Sequence, residues 1–198
     1  MFVTFEGVDG SGKTTQAELL AGWLREQGRN VLLTREPGGT PLGERVRGLL
    51  LEGEEMGAWA EAALFAAARA EHVERAIAPA LADGADVVSD RYLDSSVAYQ
   101  GIARGLGEAR VRDLSLIVTG GLLPQRTFLL LVAPTVARGR APDEPDRIER
   151  EEDAFMERVD AAYRELASHD PERIVALDAA REPETVAEEV REHVRALL

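Results

Sequence analysis

The segment Gly7-Val8-Asp9-Gly10-Ser11-Gly12-Lys13-Thr14 matches the spacing G-x-x-x-x-G-K-[ST] at every fixed position. Phe2-Val3-Thr4-Phe5 before it is a short apolar strand candidate, and the residues after it, through Gln27, read as a helix. Few folds accommodate a strand that turns through glycines straight into a helix. The glycines let successive backbone N–H groups converge on phosphate oxygens, and the helix N-terminus adds partial positive charge. Gly7 to Thr15 therefore form a nucleoside triphosphate site. In it Lys13 spans the β- and γ-phosphates, and the Thr14 hydroxyl is placed to ligate Mg²⁺.

Elsewhere, near-continuous apolar runs without alternation mark strands covered on both faces. They are Phe2–Phe5, Val31–Thr34, Asp86–Ser89, Thr127–Ala133 and Arg173–Leu177. Helical patterns fall between them, at Thr15–Gln27, Pro41–Leu51, Ala58–Ala82, Glu108–Thr119, Glu151–Ser168 and Pro183–Leu197. Gly28 and Gly84 end two of these, and Thr40-Pro41 supplies an N-cap with a first-turn proline. The alternation predicts one α/β domain over residues 1–198, a doubly wound five-stranded parallel sheet with helices on both faces. The charged, proline-containing stretch ARGRAPDEPDRIEREED interrupts it and reads as a short lid over about residues 138–152.

Composition excludes several classes. The formal net charge of -13 opposes general nucleic-acid binding, which needs a positive face. With no cysteine there are no disulfides or thiolate metal sites. No apolar run approaches the ~18 residues of a membrane span, and no export signal is visible, so the expected compartment is the cytoplasm. Lys13 is the one lysine among 23 basic residues and Asn30 the one asparagine. A guanine-reading Asn-Lys-x-Asp segment therefore cannot exist, and the phosphate goes to a second substrate rather than serving a GTPase switch.

Carboxyl ends of parallel strands are where such sheets bind ligands. After strand two comes TREPGGT (Thr34–Thr40), with Arg35 and a Pro37-Gly38-Gly39 turn. After strand three comes SDRYLDSSVAYQG (Ser89–Gly101), with Asp90 and Arg91. ALFAAARAEHV (Ala63–Val73) sets Phe65, Arg69 and His72 on neighbouring helix turns. On periodicity alone Phe65 suits a core position as well as a ligand platform, and His72 is assigned no catalytic role.

In order, and over almost the whole chain, these segments resemble those of thymidylate kinases. The resemblance implies a P-loop nucleoside monophosphate kinase fold, ATP with Mg²⁺ at the P-loop, dTMP opposite, and a homodimer. It implies that Phe65 stacks on thymine, Arg69 hydrogen-bonds its O4, and Ser96 and Gln100 lie near the base. Tyr99 would pack on the deoxyribose, and Asp9 would serve the sugar 3′-hydroxyl and the reacting phosphates. Arg35 and Arg91 would hold the acceptor phosphate beside Pro37, and Asp90 would lie close to Mg²⁺ with Thr14. An Arg–O4 contact accepts thymine or uracil and opposes a donor to cytosine's amine.

The sequence departs from the family at five places, two of which are Ala68, where the family has an aspartate, and Pro124-Gln125-Arg126-Thr127, where it has Pro-Asp-x-Thr. Gly10 stands where one class of the family has an arginine. Catalytic charge must then come from elsewhere; the resemblance to the family's other class implies the lid, where Arg138 and Arg140 are favoured over Arg147 and Arg150. The family's aspartate after strand four is replaced by Leu131-Val132. The helix entering the lid reads as shortened, since Thr135-Val136-Ala137 alone separate Pro134 from Arg138. The expected reaction is ATP + dTMP giving ADP + dTDP. Two rivals are a same-fold kinase of another monophosphate and a nucleotide-binding relative with a degenerate lid.

Overall fold

The computed structural model describes residues 1–140, 146–148 and 150–198, with the side chains of Pro134, Thr135 and Arg138 outside the description. Its strands are β1 (Phe2–Glu6), β2 (Val31–Arg35), β3 (Asp86–Asp90), β4 (Arg126–Leu131) and β5 (Ile174–Asp178). Among the described residues they form one parallel sheet in the order β2-β3-β1-β4-β5. The helices are α1 (Lys13–Glu26), α2 (Pro41–Leu51), α3 (Ala58–His72), α4 (Ala78–Ala82), α5 (Leu93–Ser96), α6 (Glu108–Val118), α7 (Pro134–Arg140), α8 (Asp153–His169) and α9 (Pro183–Arg195).

Both faces of the sheet are buried, which is why its strands read as unbroken apolar runs. Val3 and Phe5 of β1 pack with Leu20 and Leu24 of α1 and Val190 and Val194 of α9. Phe2, one residue out of phase, packs on the other face with Ile77, Tyr92 and Val159. Phe5 is fully buried, so its truncation to alanine is worth about 3–5 kcal/mol.

Thr40 caps α2 through its hydroxyl, which accepts from the Gly43 N–H at 3.0 Å. The long helix expected over Ala58–Ala82 runs as α3, a π-helical turn at Val73–Ile77, and α4. One further element differs from expectation. Leu93 to Ala103 is helical, as α5 and a π-helical turn, where the sequence pattern marks no helix. The shortened helix expected at the lid entry is α7, seven residues long, which Pro134 starts soon after β4 stops at Leu131.

The register sets up the site. Asp90 pairs with Phe5 of β1 on one side and with Arg35 of β2 on the other. Three strand ends thus finish level, and the loops they feed share one crevice.

Candidate active site

Two cavities open at that crevice. The first, about 960 Å³, is lined by Asp9, Gly10, Gly12, Lys13, Thr14 and Thr15, with Asp90 and Arg140 among the walls. The second, about 570 Å³, is lined by Pro37, Phe65, Ser96, Tyr99 and Gln100, with Ile148 above Leu51. Asp9, Glu36, Arg47 and Arg91 line both cavities and form the wall between them.

The P-loop takes its shape from backbone crowding. Gly7 lies so near β4 that an added Cβ would stand 2.6 Å from the Leu130 carbonyl oxygen. Gly10, at φ +77°, is closer still to α7, where a Cβ would meet the Ala137 oxygen at 2.1 Å. An arginine cannot occupy position 10 with α7 seated there, so Gly10 and the lid's approach go together. Gly7, Val8 and Ser11 form the base and flank of the loop rather than the wall of the first cavity, and Ser11 borders a further cleft beside Arg181 and Pro183.

Lys13 donates to the Val8 carbonyl at 2.9 Å and faces Asp9 at 3.4 Å. Burial, and then the Arg91 charge, lower its pKa. Burial would raise the Asp9 pKa, but Arg91 and Lys13 outweigh it and hold the carboxyl well below the usual range. Thr14 Oγ1 donates to Asp90 Oδ2 at 2.5 Å. A hydroxyl and a carboxylate beside the first cavity are hard oxygen donors of the kind Mg²⁺ takes.

Arg91 adopts φ +70°, a left-handed conformation unusual for a long side chain. Its fork is held from several directions. Nη2 meets Asp9 at 2.5 Å, while Nη1 donates to the Gly7 carbonyl, Ser95 Oγ and Tyr163 OH at 3.0–3.2 Å. The guanidinium lies 5.4 Å from the centre of the Tyr99 ring. Behind it, Glu6 Oε2 accepts from Ser95 Oγ at 2.5 Å and Tyr163 OH at 3.0 Å. Complete burial, with Asp94 adding like charge, pushes Glu6 up to about 7.

Arg69 is placed differently from a residue on the cavity surface. It is 1% exposed and donates to Glu36 at 2.7 Å, Ser96 Oγ at 3.1 Å, Ser115 Oγ at 3.3 Å and the Tyr92 carbonyl at 3.0 Å. Its guanidinium therefore stands just behind Ser96, which does line the cavity. His72, fully buried, joins Thr34 Oγ1 at 2.7 Å to Glu36 at 3.1 Å and so helps aim Glu36. Arg35 lines the first cavity but is half exposed and turned to Glu44 at 3.0 Å.

The lid arginines separate by location. Arg140 lines the first cavity and donates to the Ala179 carbonyl at 3.1 Å. Arg147 points away, to Glu61 at 2.6 Å and the Leu50 carbonyl at 2.8 Å. Arg150 is exposed, and the side chain of Arg138 lies outside the described residues.

A family model for thymidylate kinase matches residues 5–190. The chain belongs to the thymidylate kinase family. It is 53% identical over 192 residues to a thymidylate kinase of Thermomicrobium roseum, covering 96% of this chain and 91% of that one. It is 46% identical over 202 residues to a thymidylate kinase of Bifidobacterium longum, covering 100% and 98%. A crystal structure of thymidylate kinase from Ehrlichia chaffeensis superposes with a TM-score of 0.82 at 35% identity, covering 98% of each chain. Membership of the thymidylate kinase family makes the chain an enzyme, a P-loop kinase with ATP-dependent phosphorylation of dTMP to dTDP as the family reaction.

Sequence reading missed Glu36, Arg47, Glu6 and Tyr163. Glu36 sits inside TREPGGT, where attention falls on Arg35. Glu6 is a charged residue closing an apolar strand, a readable signal. Arg47 and Tyr163 lie on helices and carry no local mark of function.

Proposed function

We propose that the two cavities hold ATP and dTMP, and that the γ-phosphoryl passes in line, without a phosphoenzyme, at the wall they share. The observation that carries this is the set Asp9, Glu36, Arg47 and Arg91, common to both cavities. Two arginines there neutralise the facing anions, which is most of what phosphoryl transfer asks of a protein. Arg91 and Arg47 hold the acceptor phosphate and Arg35 assists from the rim. Lys13 and the loop N–H groups hold the donor, and Arg140 brings lid charge to the transferring group.

The nucleoside end is built for a pyrimidine. Phe65 and Tyr99 give it ring and sugar contacts, while Ser96, Gln100 and the guanidinium of Arg69 behind Ser96 supply the polar readout. Asp9 serves the 3′-hydroxyl. Thr14 and Asp90 would hold Mg²⁺, which supplies charge neutralisation at the β- and γ-oxygens. Residues 1–198 act as one kinase domain, the lid spanning about 138–152.

The working form is a homodimer in the cytoplasm. Leu42 and Leu49 on α2, Trp59 on α3 and Ile117 on α6 are exposed large apolar side chains on helices that pack side by side. No helix among the described residues is long and apolar enough to cross a membrane.

ADP release across a panel of monophosphates tests the reading. dTMP should be the best acceptor, and dUMP a weaker one by the ~1–3 kcal/mol of one methyl in an apolar pocket. Faster turnover of AMP or dGMP would overturn it.

A further inference from the structure

Glu61 lies on α3, 1% exposed, and lines neither cavity, yet donors from separate segments converge on it. Gln100 Nε2 donates to its Oε1 at 2.9 Å, and Arg104 Nε donates to the same oxygen at 2.8 Å. Arg147 Nη2 reaches Oε2 at 2.6 Å, and Arg104 Nη2 reaches it at 3.1 Å. Gln100 lines the nucleoside cavity. Arg104 follows the same π-helical turn and pairs with Glu151 at 2.7 Å. Arg147 belongs to the segment returning from the lid.

That segment is pinned firmly. The Arg147 backbone N–H donates to the Leu51 carbonyl at 3.0 Å, and its Nε to the Leu50 carbonyl at 2.8 Å. The neighbours of Arg147, Asp146 and Ile148, line the nucleoside cavity with Leu51. The lid thus has two anchored ends. Its outgoing end, α7, rests on Gly10 at the donor cavity, and its returning end closes the acceptor cavity through Glu61.

A glutamine amide has a donor end and an acceptor end of nearly equal shape, and only its partners decide which way it faces. An ionised carboxylate accepts and cannot donate, so Glu61 holds Gln100 by its NH2. We infer that Glu61 is a positioning residue with two outputs. It turns the Gln100 carbonyl toward the acceptor base, and through Arg147 it seats the returning lid segment as a roof over that base. The inference rests on the nucleoside monophosphate reading of this cavity. A carbonyl suits a base whose ring nitrogen carries a proton, as N3 of thymine or uracil does. It opposes the N3 lone pair of cytosine. A carboxylate one layer behind the ligand thereby sets base preference.

Steady-state kinetics with dTMP and dCMP test this in the full-length protein. In Glu61→Gln the partner amide can itself turn, so Gln100 is no longer fixed. The dTMP:dCMP ratio of kcat/KM should fall at least about tenfold. KM for dTMP should rise about fivefold or more, with KM for ATP within about twofold of wild type. Arg147→Met leaves Gln100 held, and should raise KM for dTMP about threefold or more with the ratio unchanged. Glu61→Asp keeps the buried charge for the arginines on a stem one methylene shorter, which draws the carboxylate back from Gln100, and covers the case in which Glu61→Gln does not fold. It should lose discrimination with little loss of melting temperature. Wild-type discrimination in both Glu61 variants overturns the orienting role, and an unchanged KM for dTMP in Arg147→Met overturns the roof. Loss shared equally by ATP and dTMP overturns both. Gln100→Ala separates the layers. If it keeps full discrimination, the base-reading assignment has failed. If it loses discrimination while the Glu61 variants do not, the failure is confined to Glu61.

Discussion

Asp9 Oδ1 accepts from Arg91 Nη2 at 2.5 Å, and this pair ties the P-loop to the end of β3 across the wall between the two cavities. The carboxylate keeps the Arg91 fork aimed at that wall even though the backbone beneath it sits at φ +70°. Arg91→Lys preserves charge but not the bidentate fork. With saturating ATP, kcat/KM for dTMP should drop roughly tenfold in Arg91→Lys and a hundredfold or more in Arg91→Ala. A lysine variant with wild-type kcat/KM would mean that charge alone suffices there.

Lys13→Ala should lower kcat by roughly 10²–10³ or more, since the lost charge faces oxygens that become more negative in transfer. Its melting temperature should stay near wild type, because burial already lowers the ammonium pKa and makes Lys13 a poor stabiliser of the fold. Retained turnover in Lys13→Ala would sink the mechanism.

Thr14 and Asp90 make a metal-dependence test. EDTA should abolish activity and Mg²⁺ restore it. Thr14→Val and Asp90→Asn should each raise the Mg²⁺ concentration giving half-maximal rate, by about tenfold for the loss of a hard oxygen donor. Identical Mg²⁺ titrations for the variants and wild type would remove these residues from the metal site.

Gly10→Ala places a methyl 2.1 Å from the Ala137 oxygen at a φ of +77°. The lid helix α7 must then lift. KM for ATP should rise and kcat fall together, while KM for dTMP changes little, and ATP titrations at saturating dTMP decide it.

Arg140→Ala, and Arg138→Ala beside it, should lower kcat far more than they raise KM for dTMP, because a lid arginine acts mainly in the transition state. If neither change, alone or combined, lowers kcat by about tenfold (~1.4 kcal/mol), lid charge is not the catalytic source.

Glu6 should give the protein a pH signature. Its carboxyl binds a proton more tightly folded, at about 7, than in the unfolded chain. Its contribution to stability is therefore complete below the ordinary glutamate range and is lost as pH rises through 7. Between pH 5 and 8 the unfolding free energy of wild type should fall relative to Glu6→Gln by about 2–3 kcal/mol. Parallel curves for the two proteins would show that Glu6 does not titrate in this window.

The glycine loop between β1 and α1 was legible because its shape is local. Gly7, Gly10, Gly12, Lys13 and Thr14 act through backbone turns and a helix start that eight consecutive residues encode. The parallel sheet was legible for a similar reason: strands buried on both faces cannot hide their apolar runs, and Arg35, Asp90 and Arg91 follow directly from those strand ends. The helix α7 was legible only as a short one, since seven residues have no room for a periodic pattern, and its seat against Gly10 comes from packing.

Tertiary structure alone decided how side chains far apart in the sequence share charge. No spacing rule connects Glu6 to Tyr163, Glu36 to Arg69, or Glu61 to Arg147, pairs separated by 157, 33 and 86 positions. Each carboxylate is stable in the interior only because distant donors arrive to satisfy it, and that convergence is a product of packing. The sequence by itself determined the sheet, the phosphate loop and the class of chemistry. Packing determined that Arg69 stands behind Ser96, that Arg147 turns to Glu61 rather than to the phosphates, and that Arg140 remains beside the donor cavity.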